Sequence, residues 1–177
     1  IDIYTQLLPT VVVGLGELAL SKFTPPGLRN NIIEVLLKKW DDVVHWRIVW
    51  GPMNVKTLLK AISGLGCSDI TPESYRVEIM RYLQFDMTKT IALQAIADVC
   101  SFNRHNPKFG KAGLDAAERL IEYLVEQIED KESDFENRDR ILQGIGKAVS
   151  VKPPEDQKDR ARKLVSVAFE LIRDSLR

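Results

Sequence analysis

The side chains able to carry chemistry are few and widely spaced. His45 and His105 are the only histidines among the 177 residues, and neither completes the ligand spacings by which helices hold zinc or a di-iron pair. His45, beside Trp46, reads as a packed or half-exposed ring. His105, within Arg104-His105-Asn106-Pro107, reads as a solvated loop residue. Cys67 and Cys100 lack Cys-x-x-Cys spacing and fall at the ends of apolar helical stretches, where a thiol behaves as a small hydrophobe. Gly14-Leu15-Gly16 and Gly64-Leu65-Gly66 follow no strand, and Phe109-Gly110-Lys111-Ala112 is not a Walker sequence, so no phosphate cradle is expected. The expectation is a non-catalytic chain with no catalytic residue, no cofactor, no metal and no small-molecule substrate.

Charge and aromatic spacing point to binding instead. Glu118, Glu122 and Glu126 recur every fourth residue, so three carboxylates line one edge of a helix and form a candidate docking strip for a basic segment of another protein. The opposite sign gathers at Arg104, Lys108 and Lys111, flanked by Phe102 and Phe109, and again at Lys158, Arg160, Arg162 and Lys163. A basic patch of Arg104, Lys108, Lys111 and Arg162 with interleaved aromatics would suit a nucleic-acid backbone, which makes nucleic-acid binding the alternative function. Trp46 and Trp50 are four apart on one helix face, with Trp40 just upstream; buried, they are core, and exposed, they are anchors for a partner helix.

Composition limits these readings. Lys plus Arg and Asp plus Glu are 25 each, a balance that argues against affinity built on wholesale phosphate neutralisation. The zero is a cancellation: residues 1–111 carry +3, residues 112–140 carry −6 and residues 141–177 carry +3. With 45% hydrophobic and 28% charged residues the chain can fill a core and coat a surface, which excludes extended disorder. Two cysteines are too few for a disulfide framework. Pro9, Glu17 and Lys22 interrupt even the apolar start, so no run approaches the roughly 18 residues of a membrane span. These features predict a soluble intracellular protein of the cytoplasm or nucleus. The chain opens at Ile1 on an amphipathic pattern with no cleavage signal, which predicts a piece of a longer protein.

The elements that must position these residues are helical almost throughout. Over 111–129, Leu114, Ala117, Ile121, Leu124, Val125 and Ile128 recur at three- and four-residue steps opposite Asp115, Glu118, Glu122 and Glu126. Ala161, Leu164, Val165, Ala168, Leu171 and Ile172 form a second stripe after the helix-start residues Pro153-Pro154-Glu155-Asp156. Thr71-Pro72-Glu73 offers an N-cap hydroxyl, a proline for the first turn and an acid at the positive helix end. Breaks at Thr24 to Gly27, Gly51-Pro52, Asn103 to Gly110 and Asp130 to Asp134 then leave nine helices: 3–20, 28–40, 42–50, 53–67, 73–85, 88–102, 111–129, 135–149 and 155–175. Short connections make neighbours pack antiparallel.

Four helices share one pattern of aliphatic and small residues: Val12 to Gly16, Ile62 to Gly66, Leu93 to Ala97 and Leu142 to Gly146. Glycine inside a helix costs about 1 kcal/mol against alanine, so these glycines are expected where another helix comes close. The small residues Gly14, Gly64, Ala95 and Gly144 are 50, 31 and 49 apart; the mean, about 43, falls in the range of HEAT and armadillo repeats. Thr90-Ile91-Ala92-Leu93-Gln94-Ala95-Ile96-Ala97-Asp98-Val99, following Asp86, resembles the second helix of a HEAT repeat; Gly14 to Ala19 and Leu142 to Ala148 are similar to the same helix. The resemblance implies one helical-repeat domain over 1–177, an all-α, right-handed α-solenoid of about four antiparallel HEAT/armadillo-like pairs that holds other macromolecules. It would then serve as a protein-binding scaffold or adaptor. A compact helical bundle is the alternative fold, and a catalytic helical bundle the least favoured alternative.

Overall fold

The chain is described by a computed structural model over residues 3–45, 52–129 and 135–177. It is all-helical. Among the described residues eight α-helices follow one another: α1 (Ile3–Leu20), α2 (Pro26–His45), α3 (Pro52–Gly66), α4 (Glu73–Leu83), α5 (Thr90–Phe102), α6 (Gly110–Glu129), α7 (Phe135–Val149) and α8 (Lys158–Ser175). Short 3₁₀ turns precede α6 and α8 and follow α4, and there is no strand among the described residues.

The helical period therefore predicts the class, while two boundaries differ from expectation. The stretches 28–40 and 42–50 are not separate at Asp41: α2 runs unbroken through Asp41 and Asp42 to His45. Trp40 is fully buried and its indole N–H donates to the Tyr82 carbonyl at 2.9 Å, so α2 is held against the end of α4 where the sequence suggested a break. Lys39 lies 3.9 Å from Asp42, and His45 Nδ1 lies 2.6 Å from Asp41 Oδ1 in a hydrogen bond, so each acid has a partner about one turn away on the same helix. The second difference is at Thr71. Pro72 is the N-cap of α4 and no side chain caps it; the Thr71 hydroxyl instead points into the protein, almost wholly buried and without a partner.

The chain forms two compact units, Ile1–Asp86 and Met87–Arg177. Within the first, α1 packs on α2 and α3, α2 on α3 and α4, and α3 on α4. Within the second, α5 packs on α6 and α7, α6 on α7 and α8, and α7 on α8. In each unit every helix thus meets the next and the next but one, while no extensive contact among the described residues joins the first to the fourth. The first core is built from Ile33, Leu36 and Trp40 of α2, Leu58 and Ile62 of α3, and Ile79 and Leu83 of α4. The second is built from Leu93 and Ile96 of α5, Leu114 and Leu120 of α6, Ile141 and Ile145 of α7, and Leu164 of α8. Each such side chain contributes about 1.5–3 kcal/mol of transfer free energy, so these stripes, not helix propensity, hold the helices.

One polar device is invisible to helical periodicity. Arg29 is buried at the start of α2, donating from Nε to the Ala19 carbonyl at 2.9 Å and from Nη2 to those of Ser21 and Thr24 at 3.0 and 3.1 Å. A cation here answers carbonyls left over at the end of α1 and complements that helix's negative end.

The glycine expectation holds only in part. Gly16 brings α1 close to α3, since a Cβ there would sit 3.4 Å from Ala61 Cβ, and Gly144 brings α7 close to Leu120 at 3.1 Å. Gly14 and Gly64 face open space, with nothing within 4 Å of a Cβ, so a shared pattern does not mean a shared packing role. Two glycines that the pattern did not select are packed more tightly than these four. A Cβ on Gly110 would lie 2.4 Å from the Lys152 carbonyl, and one on Gly113 would lie 2.5 Å from Val151 Cγ1 and 2.6 Å from the Ala148 carbonyl.

Candidate interaction surfaces

Six of the predicted positions sit on α6 and the loop before it. Along α6 the acidic edge is divided. Glu118 is half-buried and turned to α8, accepting from Arg160 Nε at 2.8 Å and from Nη2 at 2.7 Å. The same guanidinium donates to Asp115 Oδ1 at 2.7 Å and to Gln157 Oε1 at 2.9 Å. The hydrogen bond from Arg160 holds the Glu118 carboxyl below the usual carboxylate range, and Glu118 in turn raises the guanidinium, with Asp115 adding to it. Glu118 therefore serves as one jaw of a clamp between α6 and α8. Glu122 is exposed and 3.2 Å from Arg119, and Glu126 is exposed, so two of the three carboxylates face solvent. No local signal ties Glu118 to a residue in another helix.

The basic residues are also redistributed. Arg104, Lys108 and Lys111 are exposed around the 3₁₀ turn Pro107–Phe109, where the Asn106 side chain accepts from the Lys108 backbone N–H at 3.0 Å. The Lys152 N–H donates to the Arg104 carbonyl at 2.7 Å, which joins this loop to the one before α8 and adds the exposed Lys152. Arg162 is exposed on α8 and pairs with Asp159 at 3.2 Å. Phe109 is fully buried and Phe102 is exposed. Only one of the two flanking aromatics is thus open to solvent, and the interleaved stacking surface expected from the sequence is halved.

Trp46 and Trp50 lie outside the described residues. His45 stacks edge-on against Phe85 with ring centroids 4.9 Å apart, in addition to its contact with Asp41. His105 is exposed; Cys100 is buried with its thiol 3.6 Å from the Phe109 carbonyl. No three His, Cys, Asp or Glu side chains gather as metal ligands among the described residues. No helix among them is long and apolar enough to cross a membrane.

Two surfaces were not foreseen. On α8, Ala161, Leu164 and Ala168 are buried as expected, but Val165 and Ile172 are not part of that stripe. With Phe169 and Leu176 they form a second row, exposed by 47% at Val165, 61% at Phe169, 37% at Ile172 and 84% at Leu176. The sequence places Val165 and Ile172 in one stripe with the buried row because they are adjacent on the helix, and does not select Phe169 or Leu176; only the placement of α6 and α7 decides which side is covered. The second surface is a groove of about 350 Å³ between α2 and α4, lined by Glu34, Leu37, Ser74, Tyr75, Glu78 and Tyr82. Tyr75 donates its hydroxyl to Glu34 Oε1 at 2.7 Å, and that bond, with burial and the carboxylate's charge, raises the phenol above its ordinary value.

Neither a family model, a curated protein nor a solved structure matches the chain.

Proposed function

We propose that this chain is a non-catalytic scaffold or adaptor module, built of HEAT/armadillo-like helix pairs, that binds another protein. The exposed row Val165, Phe169, Ile172 and Leu176 carries the reading. Single exposed apolar residues are ordinary, but four at helical spacing make a contiguous strip of the kind that marks an interaction site. The ladder of contacts in each unit supports the repeat part: stacked hairpins bring each helix to the next and the next but one, whereas a closed four-helix bundle also joins its first and last helices.

A second reading, nucleic-acid binding, draws on the hydrogen bond that brings Lys152 beside the Arg104 loop and so enlarges the basic patch of Arg104, Lys108 and Lys111. One experiment addresses both. Immobilised wild-type chain and a Val165→Glu/Phe169→Glu variant are compared in capture from cell extract, with Phe23→Glu, at an exposed site of the first unit, as control. A protein lost only with the α8 variant, and rebound when purified, is the expected result. Capture identical across all three, or capture abolished by nuclease, overturns the protein-binding reading; the latter supports nucleic acid.

A further inference from the structure

The groove between α2 and α4 combines groups that together select one kind of ligand. Glu34 and Glu78 supply two carboxylates, Tyr75 and Tyr82 supply two aromatic rings two turns apart on one face of α4, and Leu37 supplies an apolar wall. Glu34 gives one carboxylate oxygen to the Tyr75 hydroxyl, so its acceptor position is fixed while its second oxygen is left for a ligand. The volume of about 350 Å³ is at the small end for ligand sites, matched to a single long side chain more than to a cofactor. No cation lines it.

The protein already shows the chemistry at the groove's rim. Arg81, exposed on α4, pairs with Glu78 through Nη2, and through Nε at 3.2 Å, while its guanidinium carbon lies 5.0 Å from the centre of the Tyr82 ring. A planar guanidinium is the cation that can stack on a ring and meet a carboxylate fork-on at once. We propose that the α2/α4 groove receives an arginine side chain of the protein partner, its stem against Leu37, its guanidinium between Glu34 and Glu78 and against the tyrosine rings. This rests on the protein-binding reading and adds a specificity pocket to it. Arg81 is then a resident competitor that shares Glu78 until the incoming arginine displaces it.

The test is an NMR titration of the tyrosine ring signals with acetyl-Gly-Arg-Gly-amide, with the lysine and the isosteric, uncharged citrulline peptides as comparison arms. The arginine peptide is expected to shift the Tyr75 and Tyr82 signals saturably, the lysine peptide to bind more weakly, and the citrulline peptide not to saturate. Glu34→Gln and Glu78→Gln should each weaken the arginine peptide by about three- to fivefold, the range of partly exposed ion pairs. Arg81→Gln should strengthen it by about threefold, whereas Lys60→Gln, the same charge change at an exposed site on α3, should not match that gain. The groove assignment is overturned if citrulline binds like arginine, if lysine equals arginine, if Glu34→Gln binds like wild type, or if Lys60→Gln equals Arg81→Gln. Thermal melts of the variants check the fold. Because the titration reads α4 and the capture experiment reads α8, loss of one signal with the other intact assigns the failure to the groove or to the α8 row.

Discussion

Replacing Gly113 by alanine reverses the sign of a substitution that ordinarily stabilises a helix. In open surroundings glycine to alanine gains about 0.5–1 kcal/mol, because alanine loses less backbone freedom on folding. At Gly113 the added Cβ would stand 2.5 Å from Val151 Cγ1, 2.6 Å from the Ala148 carbonyl oxygen and 3.5 Å from Cys100 Sγ. Ordinary contact begins near 3.4 Å, so α6 must part from the end of α7 by nearly 1 Å. One obstacle is backbone and the other a stiff β-branched side chain that is itself buried, so neither yields by a rotamer change. Overpacking of this kind costs about 1–3 kcal/mol. Set against the propensity gain, the net loss is about 0.5–2 kcal/mol, or a melting-point drop of about 1–8 °C for a chain of this size. Gly64→Ala is the matched control, since nothing lies within 4 Å of its Cβ and it should gain about 0.5–1 kcal/mol. Urea unfolding followed by far-ultraviolet circular dichroism, with unchanged slope and shifted midpoint, measures both. If the two variants shift in the same direction, or Gly113→Ala is the more stable, the close approach of α6 to the α7 end is refuted.

Three further outcomes follow from the polar contacts. Arg160→Gln should destabilise by about 1 kcal/mol, the upper end for partly exposed pairs because the contact is bidentate and shared with Asp115. Glu118 titrates below its unfolded value of 4.5, so the clamp contributes fully above that pH and is lost as pH falls through the lower folded value. The stability difference between wild type and Arg160→Gln should therefore shrink below pH 4.5, and a constant difference down to full protonation would count against the clamp. Arg29→Met should cost about 2–4 kcal/mol, since it removes the guanidinium donor from the Ala19 and Thr24 carbonyls in a buried place, while the Ser21 carbonyl keeps the Thr24 N–H. A neutral effect in a chemical melt would show that water replaces the guanidinium there.

What could be read from the residues follows the range over which each force acts. Helical class, most helix boundaries and the buried positions Leu114, Ala117 and Leu164 are written in three- and four-residue spacing, because a helix face is a local property of the chain. Which face is covered is not local. Val165 and Leu164 are neighbours in one apolar stripe, yet one is exposed and the other buried, because α6 and α7 approach from one side only. The same holds for charge: Glu118, Glu122 and Glu126 are equivalent by spacing, and only the arrival of Arg160 from a helix 42 residues away takes the first out of the ridge. Gly14 and Gly113 are both helical glycines, and their difference is the distance to another segment. The α2/α4 groove joins Glu34 to Tyr75 across 41 residues, beyond any spacing argument. Sequence alone determined that this protein is helical, sparing in histidine and cysteine and patterned in charge. Tertiary structure decided which of those charges, glycines and apolar rows are spent on holding helices together and which are left exposed, because burial and ion pairing depend on distances that chain order does not set.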